Sequence, residues 1–181
     1  MSELFSIQLQ NRQQQGRDGV WLDLPTTTEQ VQAALRQIGI SSDNPQGLFI
    51  SGYFAEEEKR FAISYNMVLA SNVDELNFLA SRLETLSTGE RAELNAALQA
   101  PQSELSSIGK ITDFPENVDY YVHLPDVHGP AQLGDYYLNR SGMVDMPEEW
   151  KGGIDTAQFG RYVAQQEQGA FTQYGYLIKS G

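Results

Sequence analysis

The chain has 181 residues, with 24 Asp plus Glu against 12 Lys plus Arg, a net charge of −12 and a sequence pI near 4.4. That balance repels nucleic acid and anionic membrane, so an electrostatically steered partner is a basic surface, although acidity of this size also serves plain solubility. Cysteine is absent, which excludes a disulfide framework, a thiolate zinc site and a cysteine nucleophile, while 40% hydrophobic and 10% aromatic residues suffice for a folded core.

FSIQLQ alternates apolar and polar residues as a half-buried strand does, NRQQQGRDG supplies turn residues, and VWLDL resumes the alternation, so the opening reads as a hairpin. TTTEQVQAALRQIGI predicts a helix with a capping box from Thr26 to Glu29, a stripe at Val31, Ala34, Leu35 and Ile38, and Gly39 as its stop. GLFISGYF predicts a third strand. From about residue 64 the pattern turns helical. NVDELNFLASRLETL carries Asn72 as a cap and Leu76, Leu79, Leu83 and Leu86 on one face; STGERAELNAALQA restarts with a Ser87 to Glu90 capping box and is stopped by Pro101.

The last third is turn-rich, with a strand expected at Asp119 to Leu124, a helix over Ala131 to Asn139 stopped by Gly142, and a second helix from Asp155 to Val163. GAFTQYGYLIKSG closes the chain as a strand or hairpin. There is no internal repeat, and the only low-complexity stretch is the glutamine run at 13–15. The pattern predicts an α+β chain of three small modules: residues 1–62 (antiparallel strands plus a helix), 63–112 (helical) and 113–181 (mixed α/β). The third module carries ten acids and four bases, half of the net charge.

No apolar run reaches the roughly 18 residues of a membrane span, and MSELFSIQLQNRQQQG lacks the parts of a secretion signal, so a soluble, cytoplasmic protein is expected. Catalytic patterns are missing: no G-x-S-x-G, no Walker lysine loop and no H-E-x-x-H. HLPDVH brings His123, Asp126 and His128 close in sequence, but its spacing is not a usual zinc pattern. Carboxylate neighbours such as Glu148 and Glu149 point apart and read as a solvated face. Tyr136, Tyr137, Phe159 and Tyr162 have too little Lys or Arg around them for base stacking and read as core. The sequon Asn139-Arg140-Ser141 falls at a helix end and is discounted.

With catalysis unsupported, the residues direct attention to the surface. DFPENVDYYVHLPDV, LGDYYLNRSGMVDMPEEW and IDTAQFGRYVAQQEQGAFTQYGYLI resemble, in order and spacing, segments of the antirestriction proteins of the ArdA type, carried by plasmids, conjugative transposons and phages. GVWLDLP is similar to the family's glycine-x-tryptophan motif and LFISGYF to the strand after it. Departures exist: a Tyr-Gly-Arg-Asp motif stands here as Phe159-Gly160-Arg161-Tyr162, and an acidic helix end is replaced by Leu138-Asn139-Arg140-Ser141.

The resemblance implies an elongated three-module molecule, a homodimer joined through the C-terminal module, and a competitive inhibitor rather than an enzyme, with no cofactor or metal. Its surface carboxylates imitate the phosphates of bent duplex DNA and occupy the DNA groove on the methyltransferase and specificity subunits of type I restriction-modification enzymes; it binds no nucleic acid itself. The carboxylates assigned to that role are Asp74, Glu75, Glu84, Glu90, Glu93, Asp113, Glu116, Asp119, Asp126, Asp135, Asp145, Glu148, Glu149 and Asp155. In residues 133–150, Tyr137 and Leu138 are expected to pack the helix, and Met146 with Trp150 to anchor a loop that turns Asp145, Glu148 and Glu149 to solvent. Two alternatives stand beside this one: an acidic module for another basic DNA-handling protein of a mobile element, and a hydrolase using carboxylates or His123 and His128.

Overall fold

Phe5, Ile7 and Leu9 alternate with Ser6, Gln8 and Gln10, and this period of two forms β1 (Phe5–Asn11) with its apolar members buried. The computed structural model describes residues 3–14, 18–41 and 43–180; part of the turn expected at 11–19, and the last glutamine of the run at 13–15, lie outside the described residues. β1 pairs antiparallel with β2 (Val20–Leu24), as the hairpin reading expects, and on its other edge with β3 (Leu48–Phe54), giving the order β2-β1-β3.

Helix α1 (Thr28–Gln37) buries Ala34 and Leu35 and is followed by Gly39 at φ 74, the left-handed stop its sequence predicts. The cap differs by one residue from expectation. Thr27, not Thr26, accepts from the Gln30 N–H at 3.3 Å. The backbone of Thr26 is engaged elsewhere: its N–H donates to Asn77 Oδ1 at 2.8 Å and its carbonyl accepts from Asn77 Nδ2 at 3.1 Å. A contact 51 residues away thus moves the helix start.

Helices α2 (Tyr65–Leu69), α3 (Val73–Leu83), α4 (Thr88–Gln99) and α5 (Ile108–Thr112) follow. The chain folds as two compact units, residues 1–86 with 106–115, and residues 87–105 with 116–181. The helical stretch 63–112 therefore contributes to both. In the first unit α3 begins at its expected cap, with Asn72 Oδ1 accepting from the Glu75 N–H at 2.9 Å, and α5 packs on it. Leu76, Leu79 and Leu83 are fully buried on its inner face. Each such leucine stabilises the fold by about 1.5–3 kcal/mol through burial.

The second unit opens with α4 and the expected capping box: the Glu90 N–H donates to Ser87 Oγ at 3.2 Å and the Ser87 N–H to Glu90 Oε1 at 2.9 Å. The helix ends before Pro101. Strands β4 (Tyr121–Leu124), β5 (Ala170–Thr172) and β6 (Gly175–Lys179) form an antiparallel sheet in the order β4-β6-β5, with β5 and β6 a tight hairpin. Helix α6 (Pro130–Asp135) runs into a π-helical turn at Tyr136–Arg140 and stops at Gly142 (φ 73), so the single helix expected over 131–139 is two geometries in series. A four-residue helix, α7 (Glu148–Lys151), is an addition, and α8 (Thr156–Glu167) runs four residues beyond the expected Val163.

Val127, Leu133, Ala164 and Tyr176 form the centre of this unit. Its density comes from α6 and α8 touching backbone to backbone. A Cβ on Gly160 would stand 1.7 Å from the Pro130 carbonyl oxygen, and one on Gly134 1.9 Å from that of Thr156. Glu167, at the end of α8, accepts hydrogen bonds from Tyr137 Oη and, at 2.8 Å, from the fully buried Tyr176 Oη. Burial, with the Glu167 carboxylate beside them, pushes both phenols above the ordinary tyrosine range.

Candidate functional site

The fourteen carboxylates singled out from the sequence divide unevenly between the two units. Asp74, Glu75, Glu84 and Asp113 belong to the first; the other ten belong to the second. Asp74 and Asp113 are exposed while Glu75 and Glu84 are half-buried. In the second unit Glu116, Asp119, Asp126, Asp135, Asp145, Glu148, Glu149 and Asp155 are exposed, and Glu90 and Glu93 are half-buried on one face of α4, three residues apart.

Exposure is not the whole of a carboxylate's availability, because several hold local structure. Asp155 caps α8 by accepting from the Ala157 and Gln158 N–H groups at 3.0 and 3.1 Å, and Glu90 is spent on its capping box, which lowers its pKa. Asp135 lies 3.7 Å from Arg140 and accepts from Asn139 Nδ2 at 2.9 Å. Glu148 pairs with Lys151 at 2.9 Å. Glu93 is different again. Desolvation first, then repulsion from Glu90 and Asp119, pushes its pKa up to about 7, so near neutrality it holds a proton about half the time.

The segment 133–150 departs from expectation at its aromatic end. Leu138 is buried and Tyr137 half-buried, as read, and Asp145, Glu148 and Glu149 face solvent. Trp150, expected to anchor the loop from the core, is 64% exposed. It sits on the single turn of α7, which is too short to fold back an indole and bury it. Tyr162, also read as core, is 61% exposed, because α8 turns Val163 and Ala164 inward and leaves Tyr162 outside.

The histidine cluster resolves into separate tasks. His123 Nε2 bonds the Tyr174 carbonyl at 2.7 Å, the backbone N–H of His128 donates to Gln132 Oε1 at 2.6 Å, and Asp126 points to solvent. Among the described residues there is no group of three or more His, Asp or Glu arranged to hold a metal ion, and no helix long and apolar enough to cross a membrane.

One surface feature escapes the sequence-based candidates. The face of the first sheet turned away from α1 carries two rows across its strands, Trp21–Gln8–Gly52 and Asp23–Ser6–Phe54. Trp21 is 50% exposed and Phe54 56% exposed, on a face where polar residues are the rule. The indole lies over Gly52: its Cη2 would be 3.0 Å from a Cβ placed there. Ser6 Oγ donates to Asp23 Oδ1 at 2.6 Å, and Glu3 shares a hydrogen bond with the Asp23 carboxylate, which together with mutual repulsion raises the Glu3 pKa. The alternation of VWLDL already places Trp21 and Asp23 opposite Leu22 and Leu24, and that was the available signal.

The family model described as "Antirestriction protein (ArdA)" matches residues 15–178. Comparison with curated proteins returns no match. The matched span contains both structural glycines, Gly134 and Gly160, which lie in the LGDYY and FGRY segments. Their place in those segments is explained by the α6–α8 crossing.

Proposed function

Because the chain belongs to the ArdA antirestriction family, we propose that it inhibits type I restriction-modification enzymes by occupying their DNA-binding groove with its own carboxylates. The family match over residues 15–178 carries this reading. Duplex DNA presents one negative charge per roughly 1.7 Å of axis, and acids three or four apart on a helix stand roughly 5–6 Å from one another. Exposed carboxylates on folded elements therefore offer charge at a spacing of the same order, and a preformed basic groove gains by releasing the counterions it held. The partner surface is the groove of the methyltransferase and specificity subunits, and the inhibitor acts as a homodimer joined through its C-terminal residues, without binding nucleic acid or catalysing a reaction.

The individual acids do not contribute equally. Asp74, Asp113, Asp119, Asp126, Asp145 and Glu149 combine exposure with a place on the surface of their unit. Asp155 and Glu90 already serve helix N-termini, and Glu93 is half-protonated near neutrality. These three are weaker stand-ins for a phosphate.

Purified protein is mixed with a type I restriction enzyme and unmodified DNA, and cleavage is followed at rising salt. Cleavage is blocked at low salt and recovers as salt screens the contact. The combined change Asp145→Asn, Glu148→Gln and Glu149→Gln weakens inhibition while leaving the circular dichroism spectrum intact. Full cleavage at large molar excess of inhibitor overturns the proposal.

A further inference from the structure

The open face of the first sheet is built unlike a solvated one. Antiparallel sheets commonly leave one face to water, and that face is then polar. Here its two rows contain an indole and a phenyl ring, and between Trp21 and Phe54 lies an apolar depression of about 330 Å³. Beside it opens a second depression, about 540 Å³, walled by Glu3, Asp23, Thr26, Gln30 and Lys59. The hydrogen bond from Ser6 to Asp23 joins the two, since Ser6 lines the first and Asp23 the second.

We infer that this face, Trp21 and Phe54 with Asp23 and Glu3 at its edge, is a docking surface for an arginine side chain of a basic partner protein. The inference takes from the proposed function only that the partner is basic. Three features of the surface select the occupant. An exposed indole face attracts a cation, and arginine's planar guanidinium both stacks on it and presents its fork sideways to a carboxylate. Asp23 is two residues from Trp21 on the same strand face, so one guanidinium reaches both. Finally, Glu3 and Asp23 wall the same depression and their carboxyl groups crowd each other, which raises the Glu3 pKa; an incoming cation relieves that crowding and an incoming anion or neutral group does not. Lys59 is the cation already at that edge, and it is partly engaged: its Nζ donates to the Glu3 carbonyl at 3.4 Å and lies 3.9 Å from Glu56. Aromatic residues and arginine are the side chains that most often dominate protein interfaces, which suits a pairing of this kind.

The test uses the full chain and a short, blocked, fluorescently labelled Arg-Gly repeat peptide, with its Lys-Gly counterpart as the control for charge alone. Anisotropy titrations give the two affinities. The arginine peptide binds more tightly than the lysine peptide, and Trp21→Ala and Asp23→Asn each weaken it by roughly three- to thirtyfold, the range of a partly desolvated cation–π contact. Trp150→Ala, which removes the other exposed indole, leaves it unchanged. In a Trp150→Phe background, where Trp21 is the sole tryptophan, the arginine peptide changes the indole fluorescence. If Trp21→Ala does not fold, Trp21→Leu still covers Gly52 and is compared in its place.

Equal affinities for the two peptides, insensitive to Trp21, overturn the inference and leave only diffuse charge. So does dissociation of self-associated protein by Trp21→Ala in sedimentation, which assigns the face to a second copy of the chain. No restriction enzyme enters these measurements, so a failure here does not touch the proposed inhibition, and a failure of inhibition does not touch this surface.

Discussion

The two units reach a packed interior by different means. In the first, a three-stranded sheet and the helices α1, α2, α3 and α5 meet through large side chains: Ile7, Leu9, Leu24, Leu76, Leu79 and Leu83 are all essentially inaccessible. In the second, fewer large side chains are buried, among them Leu94, Leu133, Tyr176 and Leu177, and α6 and α8 also touch through the backbone at Gly134 and Gly160. The second unit also carries twelve acids against five bases, a net of −7, whereas the first carries twelve against seven, a net of −5. The more highly charged unit thus relies less on apolar bulk and more on a fixed helix crossing and on the Glu167 carboxylate that ties Tyr137 and Tyr176 to the end of α8. A scaffold of that kind holds surface groups in place without needing a wide core beneath them.

Two substitutions break this comparison most directly. Leu79→Ala in the first unit removes a fully buried side chain and leaves a cavity, at a cost of about 2–5 kcal/mol. Gly160→Ala in the second adds a methyl where a backbone oxygen stands 1.7 Å away, so α6 and α8 must separate; the expected loss is about 3 kcal/mol, the upper end of overpacking. Urea unfolding measures both. Gly152→Ala, with open space around its Cβ position, is the control and should shift the midpoint little. A loss at Gly160 no larger than at Gly152 would remove the backbone crossing from the account.

What could be read from the sequence follows the range of the interactions involved. The α+β class, the first hairpin, the third strand, the Asn72 cap, the Ser87–Glu90 box and the stops at Gly39 and Gly142 all depend on residues within a few positions of one another, and the structure contains them. Thr26 does not cap α1, as its local pattern suggests, because Asn77, far along the chain, claims its backbone. The exchange of segments 87–105 and 106–115 between the units has the same origin: no local pattern says which neighbour a short helix will pack against. Gly134 and Gly160 lie within the quoted segments, yet the carbonyl each makes room for belongs to the other helix, which no local pattern reveals. Among the carboxylates, position in the sequence gave exposure reasonably well and partners poorly. Asp155 stands at the start of the expected helix and does cap α8, but nothing in the acid pattern indicates that Glu93 is pressed by Glu90 and Asp119.

Glu93 offers a finer probe of the second unit. Its folded-state pKa, about 7, lies above the ordinary glutamate value, so the fold favours the protonated form. The associated stability is fully present below the unfolded pKa, near 4.3, and is lost as pH rises through 7. Because the group is half exposed, solvent screening leaves an effect of about 1 kcal/mol. Glu93→Gln should therefore stabilise the protein at pH 8 by about that amount and change nothing at pH 4. Equal stability of the variant and the parent at both values would mean that Glu93 ionises without strain.

The smallest expected effect is at Trp150, and it discriminates because a tryptophan is ordinarily costly to lose. A fully buried indole replaced by alanine costs about 3–5 kcal/mol. At 64% exposure on the single turn of α7, Trp150 has most of its area in water in both states, and the expected loss is within about 0.5 kcal/mol. Urea unfolding at low protein concentration measures this for the isolated chain. The same experiment at high concentration tests for self-association: a loss that appears only there would mean that a second copy covers Trp150, since association stabilises by mass action. That outcome would set α7 in a contact between copies of the chain, and the exposed carboxylates Glu148 and Glu149, which share α7 with Trp150, would then lie beside that contact.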